Sequence, residues 1–106
     1  VEIKTIKDIK EFKELEYTHD SLVVFKHSLT CPISAAANTE FENFSKKVDL
    51  PLFRLYVQEA RDLSSYLEEK YNVRHESPQA LKIEEGAVVW HASHGAITED
   101  SLNENV

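Results

Sequence analysis

Two short apolar runs, Leu22-Val23-Val24-Phe25-Lys26 and Leu52-Phe53-Arg54-Leu55-Tyr56-Val57, bracket a stretch whose apolar residues recur at helical spacing. Ile33, Ala37, Phe41, Phe44 and Val48 form that stripe, which predicts a helix to about Lys47, and Pro51 follows it. Two strands joined through a helix by short connections pair parallel, and the crossover between them is right-handed. The first run is apolar on both faces, which suits a central strand between two helical layers. The chain is therefore read as α/β.

The flanking segments extend that frame. Thr5 is placed to cap an N-terminal helix, with Asp8 three residues on and Ile6, Ile9, Phe12 and Leu15 as its stripe. Thr18-His19-Asp20-Ser21 breaks the period before the first strand. Leu63, Tyr66, Leu67 and Tyr71 mark a third helix, with Asn72 as a left-handed cap. Leu81 to Ile83, a Glu84-Glu85-Gly86 turn and Ala87 to His91 predict a β-hairpin that closes the sheet antiparallel. Thr98 is placed to cap a last short helix around Asp100 to Asn103. The expected core is βαβαββα, a mixed four-stranded sheet between helical layers, preceded by an extra N-terminal helix. At 106 residues, a single domain over 1–106 is expected.

Twelve Lys and Arg stand against nineteen Asp and Glu, a net charge of −7. Such a surface repels phosphate backbones and anionic bilayers, so neither nucleic acid nor a membrane is expected as a partner. No apolar run approaches membrane-spanning length, no leader pattern opens the chain, and a lone cysteine fits a reducing compartment. A cytoplasmic location is expected on those grounds.

That cysteine is Cys31, inside Thr30-Cys31-Pro32-Ile33-Ser34, between the first apolar run and the helix after it. A strand-to-helix turn is an exposed place, and the Thr and Pro beside the sulfur are not core-packing choices. The free amides of a first helical turn and the helix dipole put positive potential near the sulfur. Both favour the thiolate, the form that attacks disulfides. Pro32 suits the first helical position, where its missing N–H costs nothing. Ser34 lies one turn on. A cysteine there would resolve a mixed disulfide on Cys31; a serine can only donate a hydrogen bond to the thiolate. The intermediate must then be cleared by an outside thiol, which makes the exchange monothiol.

The topology and these residues resemble the thioredoxin superfamily, from about Leu22 to the C-terminus. A second landmark carries the resemblance: Tyr71-Asn72-Val73-Arg74, then Glu76-Ser77-Pro78, then the hairpin. In such proteins a cis proline before the hairpin lies against the active cysteine, and the residue before it offers its backbone to an incoming disulfide. The resemblance assigns those roles to Pro78 and Ser77. The motif Thr-Cys-Pro-Ile-Ser is similar to that of the monothiol bacilliredoxins, thioredoxin-like proteins of bacteria that make bacillithiol. The resemblance implies removal of bacillithiol from protein mixed disulfides, with no bound cofactor and bacillithiol as co-substrate. Implied partners are bacillithiolated proteins and, indirectly, a flavin- and NADPH-dependent bacillithiol disulfide reductase. Thioredoxins carry Trp before the cysteine and a buried acid on the preceding strand; here stand Thr30 and the run Val24, Phe25, Lys26. Cluster-binding monothiol glutaredoxins have Gly where Pro32 stands, so an iron–sulfur cluster is not expected.

Lys26, His27 and Arg74 flank the two landmarks and are candidates for a positive rim, with Lys26 and Arg74 steering the malate carboxylates of bacillithiol. His91 and His94 have the wrong spacing for a zinc set, and no metal site is expected. Other readings remain open: a glutaredoxin-like enzyme using another small thiol, a non-catalytic thioredoxin-like adaptor and, more weakly, a peroxidase, since peroxide-reducing members of the superfamily place Thr where Ser28 stands.

Overall fold

A computed structural model describes residues 1–106. The elements in order are β1 (Ile3–Thr5), α1 (Ile9–Thr18), β2 (Ser21–His27), α2 (Pro32–Ser45), β3 (Leu52–Tyr56), α3 (Arg61–Tyr71), β4 (Gln79–Glu84) and β5 (Ala87–Ser93). A 3₁₀ turn at His94–Ala96 and α4 (Glu99–Asn105) complete them. The sheet runs β1-β3-β2-β4-β5, with β1, β3 and β2 parallel and β4 and β5 antiparallel.

The sheet is thus mixed, as expected, but has five strands rather than four. The added strand is β1, three residues in register with Leu52, Phe53 and Arg54. Glu2-Ile3-Lys4-Thr5 is too short and too polar to announce a strand; the open edge of β3 makes it one. This also moves the first helix cap. Thr5 is extended backbone, and Asp8 caps α1 by accepting from Glu11 N at 2.8 Å. Ile6 falls between β1 and α1, yet it is buried in the core.

Alternate residues of a strand face opposite sides, and β2 uses that period to serve two cores. Leu22 and Val24 pack with Phe12 of α1 and with Leu63 and Leu67 of α3. Val23 and Phe25 pack on the other face with Ala37, Phe41 and Phe44 of α2 and with Leu102 of α4. Three layers result, helices on both sides of the sheet. Phe41 has no exposed surface and stacks on Phe25, so truncating it to Ala would cost about 3–5 kcal/mol.

The predicted punctuation holds. Asn72 closes α3 in the left-handed region at φ 54°. Glu85 and Gly86, at φ 49° and 79°, make the two-residue turn of the β4–β5 hairpin, whose twist matches the strands. Thr98 caps α4 in a reciprocal box with Ser101.

Candidate active site

In a sheet of this kind the C-terminal ends of the parallel strands gather loops at one end. β2 ends there at His27 and β3 at Tyr56. β4 begins at the same end, because Gln79 pairs with Lys26. The loop bearing Cys31 and the loop bearing Pro78 therefore share that end.

Cys31 is the N-cap of α2, with extended backbone, a half-exposed side chain and no side-chain bond to the first-turn amides. Its carbonyl accepts from Ala35 N at 3.1 Å, and Pro32 occupies the first turn as predicted. Thr30 and Ile33 are exposed on either side of the sulfur. Leu29 and Ile33 are each 52% exposed, leaving two apolar side chains beside the cysteine on an open surface.

Ser34 behaves otherwise than expected. It is fully buried, and its Oγ accepts from Ser28 N at 2.8 Å. Its hydrogen is left to donate to His27 Nδ1, 2.7 Å away. The hydroxyl is thereby committed to the junction of β2 and α2, and the expected bond to the Cys31 thiolate is not formed. His27 stacks on Phe25, and burial, then the Arg54 charge, hold its pKa below the usual histidine value. A neutral ring accepting at Nδ1 is what the Ser34 hydrogen requires.

Gln58, in the turn after β3, was not singled out from the sequence. Its Oε1 accepts from Leu29 N at 3.0 Å, and its Nε2 donates to Ser28 Oγ at 2.9 Å and to Thr30 Oγ1 at 3.4 Å. The available signal was its place just beyond a parallel strand's C-terminal end.

The second landmark stands as the resemblance implied: the Ser77–Pro78 peptide is cis. Pro78 is buried, Ser77 half-buried, and Pro78 O accepts from His94 N at 3.0 Å. Ser93 Oγ donates to the Glu76 carboxylate, which lowers the pKa of Glu76. Gln79 Nε2 donates to Arg74 O at 2.9 Å. His75 N donates to Glu68 Oε2 at 2.6 Å.

The expected rim is not built as drawn. Arg74 is exposed, but Lys26 has no exposed surface. Lys26 lies on the α3 face of β2, the face opposite Phe25, and its Nζ reaches His75 Nδ1 at 3.2 Å. Ser64 Oγ approaches the same nitrogen at 3.0 Å. An ammonium can only donate, so Nδ1 accepts and the ring is neutral. Burial, then the Lys26 charge, lowers the pKa of His75 accordingly. Burial also pushes Lys26 down to about 8, against the pull of Glu68. Lys26 is therefore a support of the Pro78 loop rather than a solvated steering charge.

No three His, Cys, Asp or Glu side chains converge as a metal set. No helix is long and apolar enough to cross a membrane. A cavity of about 520 Å³ lies between the starts of α1 and α3, and neither Cys31 nor Pro78 lines it.

The family model described as "Monothiol bacilliredoxin BrxC" matches residues 1–102. A solved structure described as having a thioredoxin fold, and assigned provisionally to the oxidoreductases, is 40% identical. It superposes with a TM-score of 0.91, over 97% of this chain and 92% of that one. The reduced thioredoxin pre-protein of Schistosoma mansoni is 20% identical with a TM-score of 0.78, over the whole of both chains. A thioredoxin variant from Halobacterium salinarum is 16% identical with a TM-score of 0.80, over 97% of this chain and 86% of that one. The last two likenesses are of fold.

Proposed function

The chain belongs to the monothiol bacilliredoxin family, a thiol–disulfide redox family with the thioredoxin fold, and from that premise we propose that it removes bacillithiol from protein mixed disulfides. One observation carries the monothiol part. The chain's only sulfur sits half-exposed at the N-cap of α2, while the residue one turn on is a buried serine committed to His27 and Ser28. Nothing in the chain can resolve an adduct on Cys31.

The cycle then has two displacements. The Cys31 thiolate attacks the bacillithiol sulfur of the protein mixed disulfide. The Cys31–bacillithiol bond forms, the protein–bacillithiol bond breaks, and the protein sulfur leaves as a thiolate that takes a proton from water. A second bacillithiol, as thiolate, attacks the bacillithiol sulfur on Cys31. Bacillithiol disulfide departs and the Cys31 thiolate is restored. Electrons balance without a bound cofactor, because the second bacillithiol is the reductant. A flavin-dependent reductase would recycle the disulfide. The exposed Leu29 and Ile33 offer apolar contact to a protein substrate, and Ser77, in the loop at the same end of the sheet, would offer its backbone to it.

Intact-mass measurements over time, with a bacillithiolated protein as substrate, test this reading. A bacillithiol adduct on Cys31 that disappears on adding free bacillithiol is the expected result. Cys31 remaining unmodified would favour the adaptor reading, and an equal response to glutathione would favour another small thiol.

A further inference from the structure

Three residues, Ser28 to Thr30, join the end of β2 to Cys31, and one side chain from another part of the chain holds all three. Gln58 Oε1 takes the Leu29 amide at 3.0 Å, while Nε2 reaches the hydroxyls of Ser28 at 2.9 Å and Thr30 at 3.4 Å. The amide orientation is forced: the Leu29 N–H can only donate, so the oxygen faces it and the NH₂ group faces the two hydroxyls. Gln58 is itself anchored. It lies in the turn closed by Glu59 N on Tyr56 O at 2.9 Å, next to Val57, whose N–H continues the β2–β3 ladder onto His27 O at 2.9 Å.

We propose that Gln58 is a positioning residue of the exchange reaction, its amide fixing the Ser28–Thr30 loop and through it the direction in which the Cys31 sulfur is presented. The observations favour this over a role in stability. Two of the three groups it holds, the Leu29 amide and the Thr30 hydroxyl, are on exposed residues and would find water at little cost without Gln58; only Ser28 is buried. What would be lost is a single loop conformation. Disulfide exchange is sensitive to that loss, because the attacking sulfur must approach nearly in line with the bond that breaks. Alkylation by a small freely tumbling reagent is far less sensitive. The other fastening of this loop, Ser28 N on Ser34 Oγ, holds only its first residue and leaves Leu29 and Thr30 to Gln58.

This inference rests on thiol–disulfide exchange at Cys31, and its test separates the two. Gln58→Met keeps the length of the side chain and removes the three bonds. Rates are measured for wild type and variant with a peptide in mixed disulfide with bacillithiol, with the same peptide in mixed disulfide with cysteine, and with iodoacetamide, between about pH 5 and pH 9. Exchange with both peptides is expected to fall about 10-fold at every pH, while alkylation stays within about two-fold and the melting temperature moves little. Adding Ser28→Ala to Gln58→Met is expected to lower exchange by less than the product of the two single effects, since both remove one contact. Unchanged exchange in Gln58→Met, or exchange and alkylation falling in the same proportion, would overturn the proposal. A wild-type protein that exchanges with neither peptide would instead overturn the redox reading, and this inference with it. A wild-type preference for the cysteine adduct would correct only the name of the thiol.

Discussion

The loop that presents Cys31 and the loop that presents Pro78 lie at one end of the same sheet, yet different chemistry holds them. Ser28 to Thr30 are fastened by neutral groups, the Gln58 amide and the Ser34 hydroxyl, with His27 accepting behind them. The segment from Arg74 to Pro78 is fastened largely by ionisable groups: Lys26 on His75, Glu68 on the His75 amide, and Ser93 on Glu76. A hydrogen bond between neutral groups keeps its strength across a wide pH range, whereas a bond to an ionisable side chain depends on its protonation. The Cys31 loop is therefore held mainly by groups that do not titrate, and the Pro78 loop by several that do. His27 is the one titratable member on the Cys31 side, and its burial keeps it neutral at ordinary pH.

The largest effect isolates chemistry from scaffolding. Cys31→Ser is expected to reduce exchange to background in a mass-based turnover assay while leaving the melting temperature near wild type, since the Cys31 side chain makes no capping bond. Residual turnover would break the assignment of the nucleophile.

Next comes Ser34→Ala, which strands the buried Ser28 N–H and His27 Nδ1. A loss of about 1–3 kcal/mol in urea unfolding is expected. If Ser34 instead served only the thiolate, stability would hold and only the rate would fall.

On the other loop, Lys26→Met tests the ionisable support. The folded-state pKa of Lys26, about 8, lies below the unfolded value of 10.5. As pH falls from the higher value to the lower, the unfolded chain binds the proton first. The folded state loses stability across that window and carries the whole penalty below it. Lys26→Met should therefore raise stability at neutral pH and abolish the climb in stability above about pH 8 that wild type shows in thermal melts. A variant less stable than wild type at neutral pH would mean that the Lys26–His75 contact outweighs the cost of burying the charge.

Acid gives a smaller change. His27 and His75 both sit below their usual pKa in the folded state. Their contribution is complete above the unfolded value of about 6.5, is lost as pH falls through it, and the loss levels off below the folded values. Replacing His75 by Gln should flatten that acid slope in part and leave the His27 portion, measured by denaturant midpoint against pH. The smallest effect expected is at Arg74, the exposed cation of the proposed rim. Arg74→Ala should lower the salt dependence of the exchange rate slightly, and an unchanged slope would remove charge steering from the account.

Much of this arrangement was legible beforehand. The two apolar runs around a helical stripe required a parallel crossover, and the helix after β2 put Cys31 at an N-terminus. Asn72 and Thr98 were readable as caps because their chemistry is local. The lone cysteine with Ser34 one turn on pointed to the kind of exchange proposed for it. β1 was not legible, since a three-residue polar strand exists only because the edge of β3 accepts it.

The supports of the site belong to the tertiary structure for the same reason. Lys26 looked like a strand-end charge, and only the register that sets it opposite Gln79, beside a loop that brings in His75, makes it a buried one. Ser34 looked like a donor to the thiolate until the end of β2 delivered His27 and the Ser28 amide to its hydroxyl. Gln58 reaches a loop some thirty residues earlier in the chain, a pairing no local pattern records. Patterns of period, cap and motif act over a few residues and can be read from the chain. Which polar groups meet across the ends of a sheet depends on strands brought together from afar, and that decides how the sulfur of Cys31 is held.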